Sequence, residues 1–473
     1  MTSTVFRKYD IRGIFDKDLT EKVVYQIGLA VGSIIAGNLN NDNKIIIGQD
    51  ARISSPVVFS NLTKGIIETG VEVYDIGIVP TPVLYHYVET NNFLNGIMIT
   101  GSHNSAEYNG LKIIINGNSY SGENISSIYN KIKNQDYIKA NNKAKITSKY
   151  QALDHYLQDI TTNFFKITQK NKFKRLTVVV DSGNSVAGVI VPKVLKTLGC
   201  KVIELYSELD GSFPNHHPDP AKLENLKDLQ QMVLNKNADL GLAFDGDADR
   251  LGVITNKAEV VWPDKLIMLF AKDLLSKKPN SKIIYDVKCS RNLEKVIKKY
   301  NGIPIMYCTG HSLIKAKMRK TGALLAGEMS GHIFFKDNWY GFDDAIYSAI
   351  KLLEILVNTK EYQNLSLHDV MQEFDDGSVS TQEINIQVND SDKNKIVNKI
   401  IESCKFEKSN KITIDGLRVE YKNGWGLVRA SNTTPSLGFR FEAENKEELY
   451  KIRDLFQQEL KEAIPDLQLN LDI

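Results

Sequence analysis

Residues 176–206 read LTVVVDSGNSVAGVIVPKVLKTLGCKVIELY. A β-branched apolar run ends at Asp181, a helix-like stretch closes near Gly199, and a second apolar run starts at Lys201. Buried strand, helix, buried strand is the βαβ unit, which predicts parallel pairing in a sheet covered on both faces. The pattern occurs twice more. KIIIGQD (44–50) leads through an amphipathic stretch to VEVYDIG (71–77), and KIIYD (282–286) leads through RNLEKVIKKYNG to IPIMYC (303–308). In each copy an aspartate closes the first strand: Asp50, Asp181 and Asp286. The copies stand a domain apart, which suits repeated domains and not a solenoid.

Beyond about residue 371 the texture changes. TQEINIQV (381–388) alternates like a half-buried strand. Residues 393–404 and 446–464 have helical periodicity, and 411–443 read as a strand meander with glycine turns. The expected architecture is therefore α/β: three topologically related domains with mixed sheets and a C-terminal α+β domain. The expected divisions are 1–150, 151–256, 257–370 and 371–473.

Composition agrees with such a chain. Its 473 residues suit three domains, or four small ones, at roughly 150 each. With 42% hydrophobic and 25% charged residues, disordered and collagen-like classes are excluded. A net charge of +2 gives no reason to expect nucleic acid or an anionic membrane as partner. No apolar run approaches the roughly 18 residues of a membrane helix, and the N-terminus lacks a signal-peptide pattern. The four cysteines lie far apart, so reduced thiols in the cytoplasm are expected. Of 59 basic residues only 11 are arginine. Arginines beside glycines and small polar residues, such as Arg12, Arg250 and Arg429, are then expected to serve fork geometry.

Chemistry concentrates in a few segments. DGDADR (245–250) lies between apolar runs, with Asp245, Asp247 and Asp249 at alternate positions. Three close carboxylates repel one another unless a cation sits among them, and oxygen ligands favour Mg2+ or Ca2+. An EF-hand fails here, because its sixth and twelfth positions are Arg250 and Asn256. TGSHN (100–104) follows the run NGIMI and presents Ser102 at a strand end, with His103 as a neighbouring acid, base or phosphate donor. It lacks the G-x-S-x-G elbow, and alone it fits an ordinary Asx/Ser turn equally well. DSGNSVAG (181–188) departs from the dinucleotide fingerprint at Ser185 and reads as a strand-to-helix turn. GEMSGH (327–332) combines carboxylate, hydroxyl and imidazole in a loop suited to sugar hydroxyls. RASNTTP (429–435) combines an arginine fork with small polar residues, an anion nest without a nucleotide P-loop's Lys.

In this order, these segments resemble the α-D-phosphohexomutase superfamily, and within it the bacterial phosphomannomutase/phosphoglucomutase type. The resemblance runs from FRKYDIRG (6–13) to RASNTTP and includes DVKCSRNLE, TGHSLIK and GFDDAIYS. It implies four domains around a central cleft and a mutase that passes phosphate between O1 and O6 of a hexose through phosphoserine. On that resemblance, Ser102 carries the phosphoryl group and, with Asp245, Asp247 and Asp249, holds Mg2+. Tyr9, Arg12, Lys112 and Arg250 surround the transferring phosphate. Lys288 and His311 touch substrate, Glu328 and Ser330 read sugar hydroxyls, and His332 is a candidate proton carrier. Arg429, Ser431, Asn432, Thr433 and Thr434 clamp the other phosphate. A hexose 1,6-bisphosphate is the implied intermediate and activator, and a monomer or weak dimer binding small hexose phosphates is expected.

Two positions depart from the family's serine loop. Gly101 stands for a small residue and Ser105 for a proline, and Gly101 is expected to loosen the loop. Met329 stands where phosphoglucosamine mutases typically carry Gln, which favours mannose or glucose substrates. The rival readings are a phosphoglucosamine mutase, or a non-catalytic sugar-phosphate or Ca2+-binding protein on the same scaffold.

Overall fold

The computed structural model describes all residues except 1–2, 39–42, 169–174, 433, 466, 468–469 and 472–473. Each of the three βαβ repeats forms. Lys44–Gln49 pairs parallel with Glu72–Ile78 across the helix Ser55–Ile67. Thr177–Asp181 pairs parallel with Lys201–Leu205, and Lys282–Asp286 with Ile303–Tyr307. The isoleucines and valines of the first strand of each pair are buried, as a strand covered on both faces requires, whereas the second strands are less covered and leave Ile78 and Ile303 exposed.

Each sheet then gains antiparallel neighbours, which makes all three mixed. In the first, Tyr108–Ile115 runs antiparallel to Gly96–Ile99 and to Ile11–Ile14. In the second, Leu251–Thr255 folds back on Leu240–Phe244; in the third, Ile333–Phe335 folds back on Leu325–Gly327. The fourth sheet is antiparallel, centred on Gly424–Ala430 and Ser436–Ala443, with the helix Lys446–Ala463 packed against both strands.

The helix Ala345–Asn358 ties the assembly together. Its residues are apolar on nearly every face and almost all buried, as expected for a helix with no solvent side. It packs against the helix Ala152–Thr168 and against strands of the second and third sheets. Asp344 caps it, accepting from the Tyr347 amide at 2.8 Å. The same carboxylate accepts from Tyr156 and Trp339, each at 2.9 Å.

The placement of strand ends creates the site. The serine segment follows Gly96–Ile99, the triple-aspartate turn follows Leu240–Phe244, and the 328–332 loop follows Leu325–Gly327. Loops at the carboxyl ends of parallel strands are the ordinary ligand position of α/β sheets. All three, and the loop after Gly424–Ala430, face one cleft of about 600 Å3. Among the described residues no helix is long and apolar enough to cross a membrane.

Candidate active site

Ser102 is 1% exposed and donates from Oγ to Asp245 Oδ2 at 3.0 Å. Its φ of 49° lies in the left-handed region, which a non-glycine residue adopts only when its surroundings hold it there. Here they do. The Ser102 amide donates to Thr100 Oγ1 at 2.7 Å, and its carbonyl accepts from Arg52 Nη2 at 2.6 Å. Gly246 of the aspartate turn presses against that same carbonyl, so the two loops meet backbone to backbone. The expectation that Gly101 loosens the loop is overturned. A Cβ at 101 would stand 2.5 Å from Arg52 Cζ, so glycine is there to admit a guanidinium that pins the loop.

Asp245, Asp247 and Asp249 are fully buried, and each offers a carboxylate oxygen within 4.8 Å of the others. Asp245 Oδ1 caps the turn, accepting from the amides of Asp249 and Arg250 at 3.0 and 3.1 Å. Lys112 Nζ reaches Asp247 Oδ2 at 2.6 Å and also Asp249 Oδ2. Burial opposes charge on Lys112, but these two carboxylates outweigh it and raise its pKa. Thr81 Oγ1 donates to Asp247 Oδ2 at 2.5 Å. Asp247 Oδ1 is buried with no hydrogen-bond partner among the described residues. Three buried carboxylates, two of them sharing one ammonium, with an oxygen to spare, fit a hard divalent cation.

Three histidines line the cleft in different electrostatic settings. His332 lies with Nδ1 2.7 Å from Glu328 Oε2 and Nε2 3.2 Å from Asp249 Oδ1. Burial disfavours its charge, yet Asp249 prevails and its pKa is pushed up to about 9. His103 sits 3.2 Å from Asp219, but burial and the field of Arg250 hold it down to about 4. His311 faces Asp343 at 3.3 Å, and burial together with the Lys315 charge lowers it. Charge is thus favoured on His332 and disfavoured on His103 and His311.

The remaining predicted residues gather on the facing walls. Arg12 donates to Asn104 Oδ1 at 2.6 Å and to Asp10 Oδ2 at 2.5 Å, beside the serine loop. Arg250 Nε lies 3.8 Å from Asp245. Glu328 accepts from the Gly310 amide, and Ser330 Oγ lies 3.1 Å from His332 Nδ1. Lys288 Nζ donates to Glu383 Oε2 at 3.3 Å. In the fourth domain's loop, Arg429 pairs with Asp415 at 3.1 Å, and Thr434 Oγ1 donates to Ser431 Oγ at 2.7 Å. Asn432 donates to the Tyr9 hydroxyl, so Tyr9 stands against the 429–435 loop. Thr433 lies outside the described residues.

The aspartates that close the repeated strands are residues the sequence reading left without a role. Asp50 holds Arg52 and the Gly101 amide. Asp181 accepts from the Gly183 amide and faces His216 at 2.9 Å. Asp286 accepts from the amides of Lys288 and Met329 and from Thr309 Oγ1, which ties three cleft loops together. The signal was in the sequence, as one aspartate at the same place in each repeat.

Comparison with known proteins covers the same ground. Residues 3–139, 154–258 and 262–374 match the phosphoglucomutase/phosphomannomutase alpha/beta/alpha domains I, II and III. Residues 383–458 match that family's C-terminal domain. The chain is 46% identical over 469 residues to a phosphomannomutase/phosphoglucomutase of Pseudomonas putida, covering 99% of this chain and 98% of that one. It is 42% identical over 461 residues to a phosphoglucomutase of Neisseria gonorrhoeae, covering 97% and 96%. A solved phosphoglucomutase/phosphomannomutase family protein from Burkholderia thailandensis superposes with a TM-score of 0.90 at 40% identity, covering 99% of each chain. The four domain matches together span the elements that line the cleft, and the chain is a member of the phosphoglucomutase/phosphomannomutase family, a phosphohexomutase of the bacterial type.

Proposed function

We propose that this phosphohexomutase interconverts the 1- and 6-phosphates of mannose and glucose through phospho-Ser102 and a hexose 1,6-bisphosphate. The observation that carries this reading is the Ser102 Oγ contact with Asp245, inside the buried group of three aspartates and facing an arginine-based anion cradle. Ser102, Asp245, Asp247 and Asp249 would hold Mg2+, which when bound stabilises negative charge on the transferring phosphoryl oxygens.

The residues of the chain do the rest. The incoming sugar oxygen bonds to phosphorus as the bond to Ser102 Oγ breaks, and the bisphosphate turns and returns its other phosphoryl group to Oγ. Arg12, Lys112 and Arg250 supply cationic surroundings for that exchange. His332 is placed to carry a proton, and Glu328 and Ser330 to meet sugar hydroxyls. His103, next to Ser102 in the chain, is a neighbouring acid, base or phosphate donor. Lys288, His311 and Tyr9 contact substrate, and Arg429, Ser431, Asn432, Thr433 and Thr434 hold the resting phosphate. The domain divisions proposed are those near 150, 256 and 370, for a monomer or weak dimer in the cytoplasm.

Met329 favours the mannose and glucose phosphates over an amino sugar. Rates on glucose 1-phosphate, mannose 1-phosphate and glucosamine 1-phosphate, with and without bisphosphate, decide among them. Ser102→Ala is expected to remove nearly all turnover while sugar-phosphate binding survives. The wild-type protein treated with bisphosphate is expected to gain about 80 Da, one covalent phosphate. Turnover retained by the Ser102→Ala protein would sink the reading.

A further inference from the structure

Arg52 is a fully buried cation that neither touches the cleft nor packs as core. Its five N–H donors are all used. Nε donates to Asp50 Oδ2 at 3.0 Å. Nη1 donates to the carbonyls of Ser105 and Tyr108 at 2.5 and 3.0 Å. Nη2 donates to the carbonyls of Ser102 and Asn104, both at 2.6 Å. Four of five acceptors are thus carbonyls of one short stretch, the serine loop and the strand start that follows it. Asp50 fixes the fork in turn, through its second oxygen's bonds to the Arg52 amide and Ser55 Oγ. Phe213, from the second domain, covers the guanidinium at 5.2 Å.

We propose that Arg52, held by Asp50, is a positioning residue that keeps phospho-Ser102 aimed at the sugar hydroxyl and away from water. The inference rests on the reading of Ser102 as phosphoryl carrier. The left-handed backbone of Ser102 is an uphill conformation, and the carbonyl contact from Arg52 is one of the bonds that sustain it. A loop released from the fork relaxes and moves Oγ relative to Asp245. Transfer to the sugar then slows. The competing step is hydrolysis: a water oxygen bonds to phosphorus, the P–Oγ bond breaks, and Oγ takes a proton. Lysine cannot replace the fork, since an ammonium has three donors and no planar geometry. Alanine at 101 disturbs the same contact from the other side, because its Cβ would meet the guanidinium.

The test uses the full chain with Arg52→Lys, Gly101→Ala, Arg52→Ala and the double variant Arg52→Ala/Gly101→Ala. For Arg52→Lys and Gly101→Ala, kcat is expected to fall about 100-fold. KM for glucose 1-phosphate should stay within about twofold. Phosphoenzyme prepared with glucose 1,6-bisphosphate is expected to lose its phosphate to water faster, as followed by intact mass. Removing the guanidinium makes room for a Cβ, so the double variant should be no worse than Arg52→Ala. Unchanged kcat and phosphoenzyme lifetime in either folded variant would overturn the proposal. So would a fall in melting temperature alone, or failure of both variants to fold, either of which would make Arg52 a folding residue. Ser102→Ala runs alongside. An active Ser102→Ala protein rejects the carrier assignment itself, whereas an inactive one beside a normal Arg52→Lys protein rejects only the role of Arg52.

Discussion

Tyr9 and Asn432, 423 positions apart, meet in a hydrogen bond of 2.9 Å. The same phenol donates to the Thr309 carbonyl at 2.6 Å. Its ring lies where a Cβ of Gly310 would be, and Gly310 adopts a φ of 140°. One side chain near the N-terminus thus joins loops of the third and fourth domains across the mouth of the cleft. Parting the two loops at this point means breaking one of these bonds.

Tyr9→Phe keeps the ring and its packing on Gly310 but removes the hydroxyl from both bonds. At about 1 kcal/mol for a net hydrogen bond, KM for hexose phosphate should rise about fivefold. The unfolding midpoint should stay unchanged, because the ring remains. Steady-state kinetics beside thermal melting separates the two effects, and an unchanged KM would deny the bridge any part in closure.

Chelation should abolish turnover, and Mg2+ should restore it. Asp247→Asn leaves the Thr81 contact possible but replaces an anionic oxygen in the buried cluster. Titration calorimetry should show Mg2+ binding weakened at least about tenfold, a readout independent of catalysis. Undiminished Mg2+ affinity would remove Asp247 from the ligand set.

Legibility in the sequence followed the range of the interactions. The βαβ repeats were readable because a buried strand is a local apolar run. The triple-aspartate turn was readable because its three carboxylates occupy alternate positions of one short stretch. The serine segment alone could not be told from a turn; its meaning depends on Asp245, brought beside it by the packing of two domains. Arg52 was invisible for the same reason, since four of its five acceptors lie some fifty positions away and are backbone atoms of no particular residue type. That distance also explains why Gly101 was misread as a source of freedom. The scarcity of arginine was the better clue. Arg418 lies 3.7 Å over the Trp425 ring and donates to the carbonyls of Val287 and Cys289, while Arg440 donates to that of Lys288. These forks join the third and fourth domains.

Stability should depend on pH through His216. Burial opposes its charge, but the hydrogen bond and charge of Asp181 outweigh that, so its folded pKa is raised. The stabilisation from this pair is fully present below the unfolded value of about 6.5 and is lost as pH rises through the folded value. The stability lost in His216→Asn should therefore be larger at about pH 6 than at about pH 9. Denaturant midpoints of both proteins at the two pH values measure it. An equal difference at both would show that the imidazole contributes without its charge.

Gly28 and Gly65 let the helices Glu21–Ala36 and Ser55–Ile67 approach backbone to backbone. A Cβ on Gly28 would collide with the Leu62 carbonyl, and one on Gly65 with that of Tyr25. Gly28→Ala should destabilise by about 1–3 kcal/mol through overpacking. Because the contact is far from the cleft loops, kcat and KM at low temperature should not change. Loss of activity without loss of stability would contradict this assignment.

Arg429→Lys is the sharper test of the distal clamp. Arg429→Ala would leave Asp415, 3.1 Å away, without its partner, so its effect would mix binding with the cost of an unpaired acid. Lysine keeps the charge beside Asp415 and loses only the fork. A charge-assisted hydrogen bond contributes about 1.5–3 kcal/mol, so KM should rise roughly ten- to hundredfold with kcat little changed. The increase should be equal for the 1-phosphate and the 6-phosphate of one sugar, measured in the two directions of the reaction. A cradle that holds whichever phosphate is at rest reads phosphate and not the carbon that bears it. An increase for one isomer alone would mean that Arg429 touches the sugar in one orientation, and the symmetric clamp would have to be abandoned.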